Sequence, residues 1–313
     1  MQAAPAKRNL LLCFDAFGTL FAPSIPIPRA YARAAARHGI LVSDTPEGES
    51  RVGARFKEAF KTESKKNPNY GIVTGLGAER WWGNIIRNTF TSFLKPGQEV
   101  PPALVTDLLE QFSTDRGYTL KPDVIDFFQE LRKKKTTGKT QAMPWPFQKT
   151  VVGIITNSDH RVPGILESFG LNVSKQRVGE SSRLAKPSSE HDIDFVVLSY
   201  DVGYEKPDRR IFDAATQLLA DSLKEDGEGL TTDDFERLYV GDEIEKDYIG
   251  ARAAGWDAVL LDRHDSTKGD SRSNDENFSF GELEVKDKEG NDRKVTMAKT
   301  LFALQEWRPR GCV

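Results

Sequence analysis

Leu11-Leu12-Cys13-Phe14-Asp15-Ala16-Phe17-Gly18-Thr19-Leu20 is an apolar run that ends on one carboxylate and breaks into a Gly-Thr turn. A short hydrophobic segment closed by a turn residue is how a central parallel strand reads when both its faces are covered. Open α/β sheets place ligands at the carboxyl ends of their strands. Asp15 stands at that end, next to backbone amides that the Gly18 turn exposes. Taken alone, this carboxylate could be a nucleophile, a metal ligand or a cap for the next segment.

Three later stretches repeat the pattern. Residues 150–155 form a second apolar run that ends in Thr156-Asn157-Ser158-Asp159. Residues 195–199 form a third, leading through 201–205 to Lys206-Pro207 and a helix with Ile211, Phe212, Ala215, Leu218 and Leu219 on one face. Leu238-Tyr239-Val240-Gly241-Asp242 is a fourth, with Asp247 five residues beyond it. A fifth strand is expected over 256–261, after a small-residue helix that ends at Gly255. A second Lys-Pro pair, Lys186-Pro187, has no apolar strand before it and is set aside.

Between Leu20 and Tyr118 the alternation gives way to helical spacing. Phe56 and Phe60 stand at i and i+4, and Trp82, Ile85, Ile86, Thr89, Phe90 and Phe93 form one apolar stripe. Adjacent Trp81 and Trp82 lie about 100° apart around a helix, so they cannot share a face. Residues 134–149, 172–192 and 263–293 are polar and read as insertions. Within the last, a small hairpin is expected around Gly290-Asn291, and a terminal helix is expected over 297–307.

Composition narrows the function classes. With 44 basic and 47 acidic residues in 313, the net charge is -3, so there is no basic footprint for nucleic acid. No apolar run approaches the roughly 20 residues needed to span a bilayer. The first eight residues lack the apolar stretch of a signal peptide. Two cysteines, Cys13 and Cys312, exclude a disulfide framework. A cytoplasmic setting is the expectation, with nucleus and mitochondrion left open. Ser158 has no Gly-x-Ser-x-Gly context and the Gly-Thr turn has no Walker lysine, so serine-hydrolase and P-loop chemistry are set aside.

The order Asp15, then Thr156-Asn157, then Lys206-Pro207, then Gly241-Asp242 with Asp247, resembles the haloacid dehalogenase superfamily of hydrolases. The resemblance implies a Rossmann-like, doubly wound parallel α/β core over 9–21 and 119–313, with an all-helical cap inserted over 22–118. In the inserted region, Asn67-Pro68-Asn69-Tyr70-Gly71, Gly75-Leu76, Arg80-Trp81-Trp82 and Thr89-Phe90 look like the subfamily called haloacid dehalogenase-like hydrolase domain-containing protein 3. The superfamily resemblance further implies that Asp15 attacks phosphorus to give an aspartyl-phosphate. Thr156 would bond a phosphoryl oxygen and Lys206 would hold the nucleophile. Asp15, the Phe17 carbonyl, Asp242 and Asp247 would hold Mg²⁺. Gly18, Thr19, Asn157, Tyr70 and Arg80 are the candidate substrate contacts. Electrostatics agrees, since several carboxylates and a phosphate cannot share a cleft without cations.

One position departs from the pattern. Phosphatases of this superfamily usually carry a second Asp two residues after the nucleophile, and here that position is Phe17. Its absence removes a proton-transfer group of the kind worth 10²–10⁴-fold. The expected function is a Mg²⁺-dependent phosphatase acting on a small phosphorylated metabolite. The alternatives are a catalytically weak binding protein, and a 2-haloacid dehalogenase or an enzyme that cleaves a C–P bond. Dehalogenases need neither metal nor the pair Asp242 and Asp247.

Overall fold

The structure, a computed structural model, describes residues 9–43, 45–137, 145–179, 190–263, 279–286 and 290–309. In chain order the elements begin with β1 (Asn9–Phe14), β2 (Phe21–Pro23), α1 (Ile27–Arg37), α2 (Pro46–Lys66) and a four-residue turn, α3 (Pro68–Gly71). Next come α4 (Ala78–Phe90), α5 (Pro102–Gln111), β3 (Tyr118–Leu120), α6 (Val124–Thr137), β4 (Lys149–Thr156) and α7 (Arg161–Ser168). The chain continues through β5 (Phe195–Leu198), a turn α8 (Ser199–Val202), α9 (Arg209–Asp226), β6 (Phe235–Gly241) and a short α10 (Gly250–Ala253). It ends with β7 (Asp257–Leu261), β8 (Phe280–Lys286) and β9 (Asp292–Ala298). Two compact units result. The first comprises Met1–Phe21, Leu120–Asn157 and Gly170–Val313, and the second Ala22–Thr119 and Ser158–Phe169.

The first unit is built on a seven-stranded sheet in the order β5-β4-β1-β6-β7-β9-β8. All its pairings are parallel except the last, β8 with β9. Every residue of β1 is buried, which is why the run Asn9–Phe14 does not alternate. Leu11 and Cys13 face a core completed by Phe212, Leu219, Tyr239 and Trp256. On the opposite face Phe14 meets Phe127 and Phe128 of α6 at 6.0 and 5.4 Å between ring centroids. Helices therefore cover both faces, as in a doubly wound Rossmann-like sheet.

The polar stretches turn out to be partly built into this sheet. Residues 279–286 and 290–298 form the hairpin, but it is no surface appendage. Met297 and Ala298 pair in parallel with Leu260 and Leu261 of β7, so the hairpin adds two strands at the sheet edge. The expected terminal helix is correspondingly shorter, a 3-10 turn at Leu301–Glu306. Near 172–192, Val173 bridges Ile193, Arg177 bridges Val196, and buried Gln176 donates to Ser222 at 2.7 Å. After residue 137, Trp145 and Phe147 return the chain to the core, with the Trp145 indole bonded to Thr150 Oγ1 at 2.8 Å. Lys186-Pro187 and the parts of the expected insertions at 138–144, 180–189, 264–278 and 287–289 lie outside the described residues.

The second unit is helical, and β2 and β3 pair as a small separate sheet. Thr45 caps α2 by accepting the Gly48 amide at 3.2 Å, and Glu47 and Glu49 in the first turn suit its positive end. Of the two tryptophans on α4, Trp81 is buried and donates its indole N–H to the Asn67 carbonyl at 2.9 Å. Trp82 is half-buried and donates to Asp159 Oδ2 at 2.8 Å. Ser158–Phe169 groups with this unit, whereas the expected boundary puts it in the core. Asp159 is fully buried and is also clasped by Arg161, at 2.8 Å from Nε and 2.9 Å from Nη2, with the guanidinium over the Trp82 ring at 4.5 Å. Among the described residues no helix is long and apolar enough to cross a membrane.

Burial by itself would raise the Asp159 carboxyl, but Arg161 and the Trp82 indole override it and hold it below the usual carboxylate value. A group depressed in the folded state contributes stability above its unfolded value and loses it as the pH falls through its folded value. Asp159→Asn is therefore expected to cost about 3 kcal/mol near neutral pH, because it leaves the half-buried Arg161 guanidinium without its counter-charge. Urea unfolding followed from pH 7 into the acid range checks this. The loss should shrink as the pH falls below the carboxylate range, and a constant or absent loss would contradict it.

Candidate active site

The register of the three central strands builds the site. Phe14 is level with Ile154 of β4 and Val240 of β6, so the residues just past those pairs gather at one end of the sheet. Asp15 extends the ladder one step, its amide donating to the Val240 carbonyl at 2.9 Å. The chain then turns at Gly18, whose φ of +84° is in the left-handed region. A Cβ there would stand 2.2 Å from Asp242 Oδ2, so glycine is required for the Asp242 carboxylate to approach this turn. Thr19, fully buried, donates its hydroxyl to Asp242 Oδ1 at 2.8 Å. In this structure Gly18 and Thr19 thus serve the carboxylate of Asp242.

Lys206 is the charge at the centre. Its ammonium, buried, donates to Asp15 Oδ1, Asp247 Oδ1 and the Tyr239 hydroxyl, each at 2.7 Å. Burial disfavours the charged ammonium, but Asp15 and Asp247 outweigh it and raise Lys206 above its ordinary value. Asp15 in turn is pushed up to about 6, first by burial, with Lys206 opposing and Asp247 adding to the rise. Asp242 is raised by burial and by Asp247, against the Thr19 hydrogen bond. Three acids around one base leave the cluster short of positive charge.

Asp247 reaches this cluster from a single π-helical turn, Ile244–Ile249, and its Oδ2 accepts the Glu243 amide at 2.9 Å. It therefore both closes its own turn and contacts Lys206. Gly241 makes room for it, since a Cβ there would lie 2.3 Å from the Asp247 carboxylate. Ligand atoms of Asp15, Asp242 and Asp247 all lie within 4.8 Å of one another. Hard carboxylate oxygens at this spacing, with too little positive charge to balance them, fit a divalent cation such as Mg²⁺.

The remaining expected residues fall into two groups. Thr156 ends β4, buried, beside β1. Asn157 follows it, but its amide is spent on backbone. It accepts the Lys206 N–H at 2.6 Å and donates to the Lys206 carbonyl at 3.0 Å, fixing the segment from which the ammonium extends. Phe17 is half-buried with its ring 4.8 Å from that of Phe21, edge to face. Tyr70 and Arg80 belong to the second unit. Tyr70 follows Asn69 in a left-handed pair, φ +56° and +46°, with its ring 5.0 Å from Trp81, and Arg80 is exposed on α4. The sequence reading passed over Tyr239. Its one signal is a hydroxyl in the apolar run Leu238–Gly241, which needs a buried partner.

Comparison with known proteins agrees with the motifs. The family model "haloacid dehalogenase-like hydrolase" matches residues 10–255. An uncharacterized hydrolase of Schizosaccharomyces pombe is 31% identical over 257 residues, covering 82% of this chain and 92% of its own. The human haloacid dehalogenase-like hydrolase domain-containing protein 3 is 29% identical over 253 residues, covering 80% and 81%. Among solved structures, the HAD-hydrolase YfnB from Bacillus subtilis, bound to magnesium, aligns over 82% of this chain and 91% of its own at 17% identity and a TM-score of 0.46. With four motifs at the ends of β1, β4 and β6 and in the loop before α9, and a family match that spans most of its length, the chain belongs to the haloacid dehalogenase-like hydrolases.

Proposed function

We propose that this hydrolase is a phosphatase for a small phosphorylated metabolite, with Asp15 as nucleophile. The observation that carries the reading is the Lys206 ammonium held between Asp15 and Asp247 at 2.7 Å each, beside Asp242. A nucleophilic carboxylate must sit beside positive charge to meet an anionic phosphate, and it must be unable to rotate away. Lys206 supplies both by fixing one oxygen of Asp15. In this reading the other oxygen attacks phosphorus, the bond to the leaving oxygen breaks with its electron pair, and an acyl phosphate forms on Asp15. Water then attacks that phosphorus and restores the carboxylate.

The Thr156 hydroxyl donates to a phosphoryl oxygen in this proposal. Asp15, Asp242, Asp247 and the Phe17 carbonyl would hold Mg²⁺, which supplies charge neutralisation when bound. Choice of substrate is assigned to the second unit, with Tyr70 and Arg80 as the residues to vary first. Gly18, Thr19 and Asn157 support the site through Asp242 and Lys206. Asp159 does not replace the proton donor missing at Phe17, because Arg161 keeps its carboxylate ionised.

Magnesium binding gives a direct test. Calorimetry should show Mg²⁺ binding to the wild type, weakened at least about tenfold by Asp242→Asn, since removing a carboxylate charge removes both a ligand and attraction. Equal affinity in the two proteins would remove the metal-site reading.

A second expectation concerns the leaving group. Without an acid at position 17, an aryl or acyl phosphate should turn over about 10²–10⁴-fold faster than an alkyl phosphate in Mg²⁺, and not at all in EDTA. Phe17→Asp should narrow that gap once a thermal melt shows the variant folded, because the edge contact with Phe21 is lost with the ring. Comparable wild-type rates on both substrates would mean that another group supplies the proton. Halide release from a 2-haloacid in EDTA would replace the phosphatase with a dehalogenase.

A further inference from the structure

The third proton of the Lys206 ammonium ends on a residue that the proposed chemistry does not use. Tyr239 is fully buried in β6, and its hydroxyl accepts from Lys206 Nζ at 2.7 Å. A hydroxyl has one proton to give, and here the short contact is to the Ile155 carbonyl of β4, also 2.7 Å. The hydroxyl's contact to Asp247 Oδ1 is longer and weaker, 3.4 Å. The Ile155 bond turns the hydroxyl lone pairs towards the ammonium. The ring is itself fixed, packed edge-on against Phe212 of α9 with centroids 5.3 Å apart at 86°.

We propose that Tyr239 is a positioning residue for Lys206, a rigid neutral acceptor that holds the third N–H so that the other two point at Asp15 and Asp247. A lysine on its flexible four-carbon stem has three donors and no intrinsic direction. Two carboxylates alone would leave the third buried donor unpaired, which costs more for a charged group than for a neutral one. The neutral partner matters because a third anion would compete with the phosphate for Lys206.

Tyr239→Phe removes only the hydroxyl. The first readout is independent of turnover and of the phosphatase reading. In nitrogen-15 spectra recorded without metal, the Lys206 ammonium, identified by its loss in Lys206→Met, should be protected from exchange with water in the wild type. In Tyr239→Phe it should exchange at least about tenfold faster, the size expected for losing a hydrogen bond to a charged group. The second readout does rest on the phosphatase reading. With Mg²⁺ and an aryl phosphate, kcat should fall about tenfold with KM nearly unchanged.

Phe212→Leu loosens the same ring without touching the hydroxyl and separates packing from positioning. Because Phe212 fixes the ring, Phe212→Leu should lower kcat less than Tyr239→Phe does; a larger loss in Phe212→Leu than in Tyr239→Phe, or unchanged Lys206 exchange in folded Tyr239→Phe, would overturn the proposal. Faster exchange with no phosphate release from any variant, wild type included, would uphold Tyr239 and discard the phosphatase. Should Tyr239→Phe not fold, a ring-fluorinated tyrosine at 239 keeps the hydroxyl and weakens it as an acceptor. A smaller change in the same direction is then expected, and none at all overturns the proposal.

Discussion

A buried ammonium with three acceptors at 2.7 Å organises the first unit, because each acceptor comes from a different part of the chain. Asp15 follows β1, Tyr239 lies within β6, and Asp247 sits on the π-helical turn beyond it. Lys206 itself arrives from the loop before α9, where Asn157 grips its backbone from the end of β4. Removing the ammonium would leave Asp15 and Asp247 facing each other without a cation. Removing either acid would leave one donor of the buried ammonium without its acceptor. Such breaks are expensive.

The same charge balance explains the glycines. Gly18 and Gly241 have no side chain because Asp242 and Asp247 occupy the space that a Cβ would need. A site that must gather three carboxylates within 4.8 Å can do so only where backbone gives way to carboxylate. Burial, and then the neighbouring Asp247, raises both Asp15 and Asp242.

Much of this was legible in the chain itself. Asp15, Thr156 and Asp242 each end or follow an apolar run, and that placement alone predicts convergence at the carboxyl ends of parallel strands. Lys206 was found the same way, by requiring a strand before it. Tyr239 was hidden because a tyrosine in an apolar strand reads as core, and only the fold shows what its hydroxyl meets. The bonds of Asn157 to the Lys206 backbone were hidden because the partner is 49 residues away and is backbone, which carries no sequence signal. The hairpin was read as an insertion because β8 and much of β9 show polar side chains to solvent, as edge strands do. A short-range Asp159–Arg161 pair gives no hint in the sequence that the buried carboxylate and the half-buried guanidinium both meet Trp82.

Phe17 sets the limit on what this site can do. Its aromatic side chain packs on Phe21 where the resemblance expects a carboxylate, while Asp15 is held by Lys206 at 2.7 Å. Attack by Asp15 is thus the step on which the account depends. It can be read directly by incubating the protein with Mg²⁺ and a radiolabelled acyl phosphate, quenching in acid and mapping the label by peptide. The account predicts a hydroxylamine-labile label on the peptide that contains Asp15, absent in Asp15→Asn. Phosphate release with no label on that peptide, or label that survives Asp15→Asn, would contradict it.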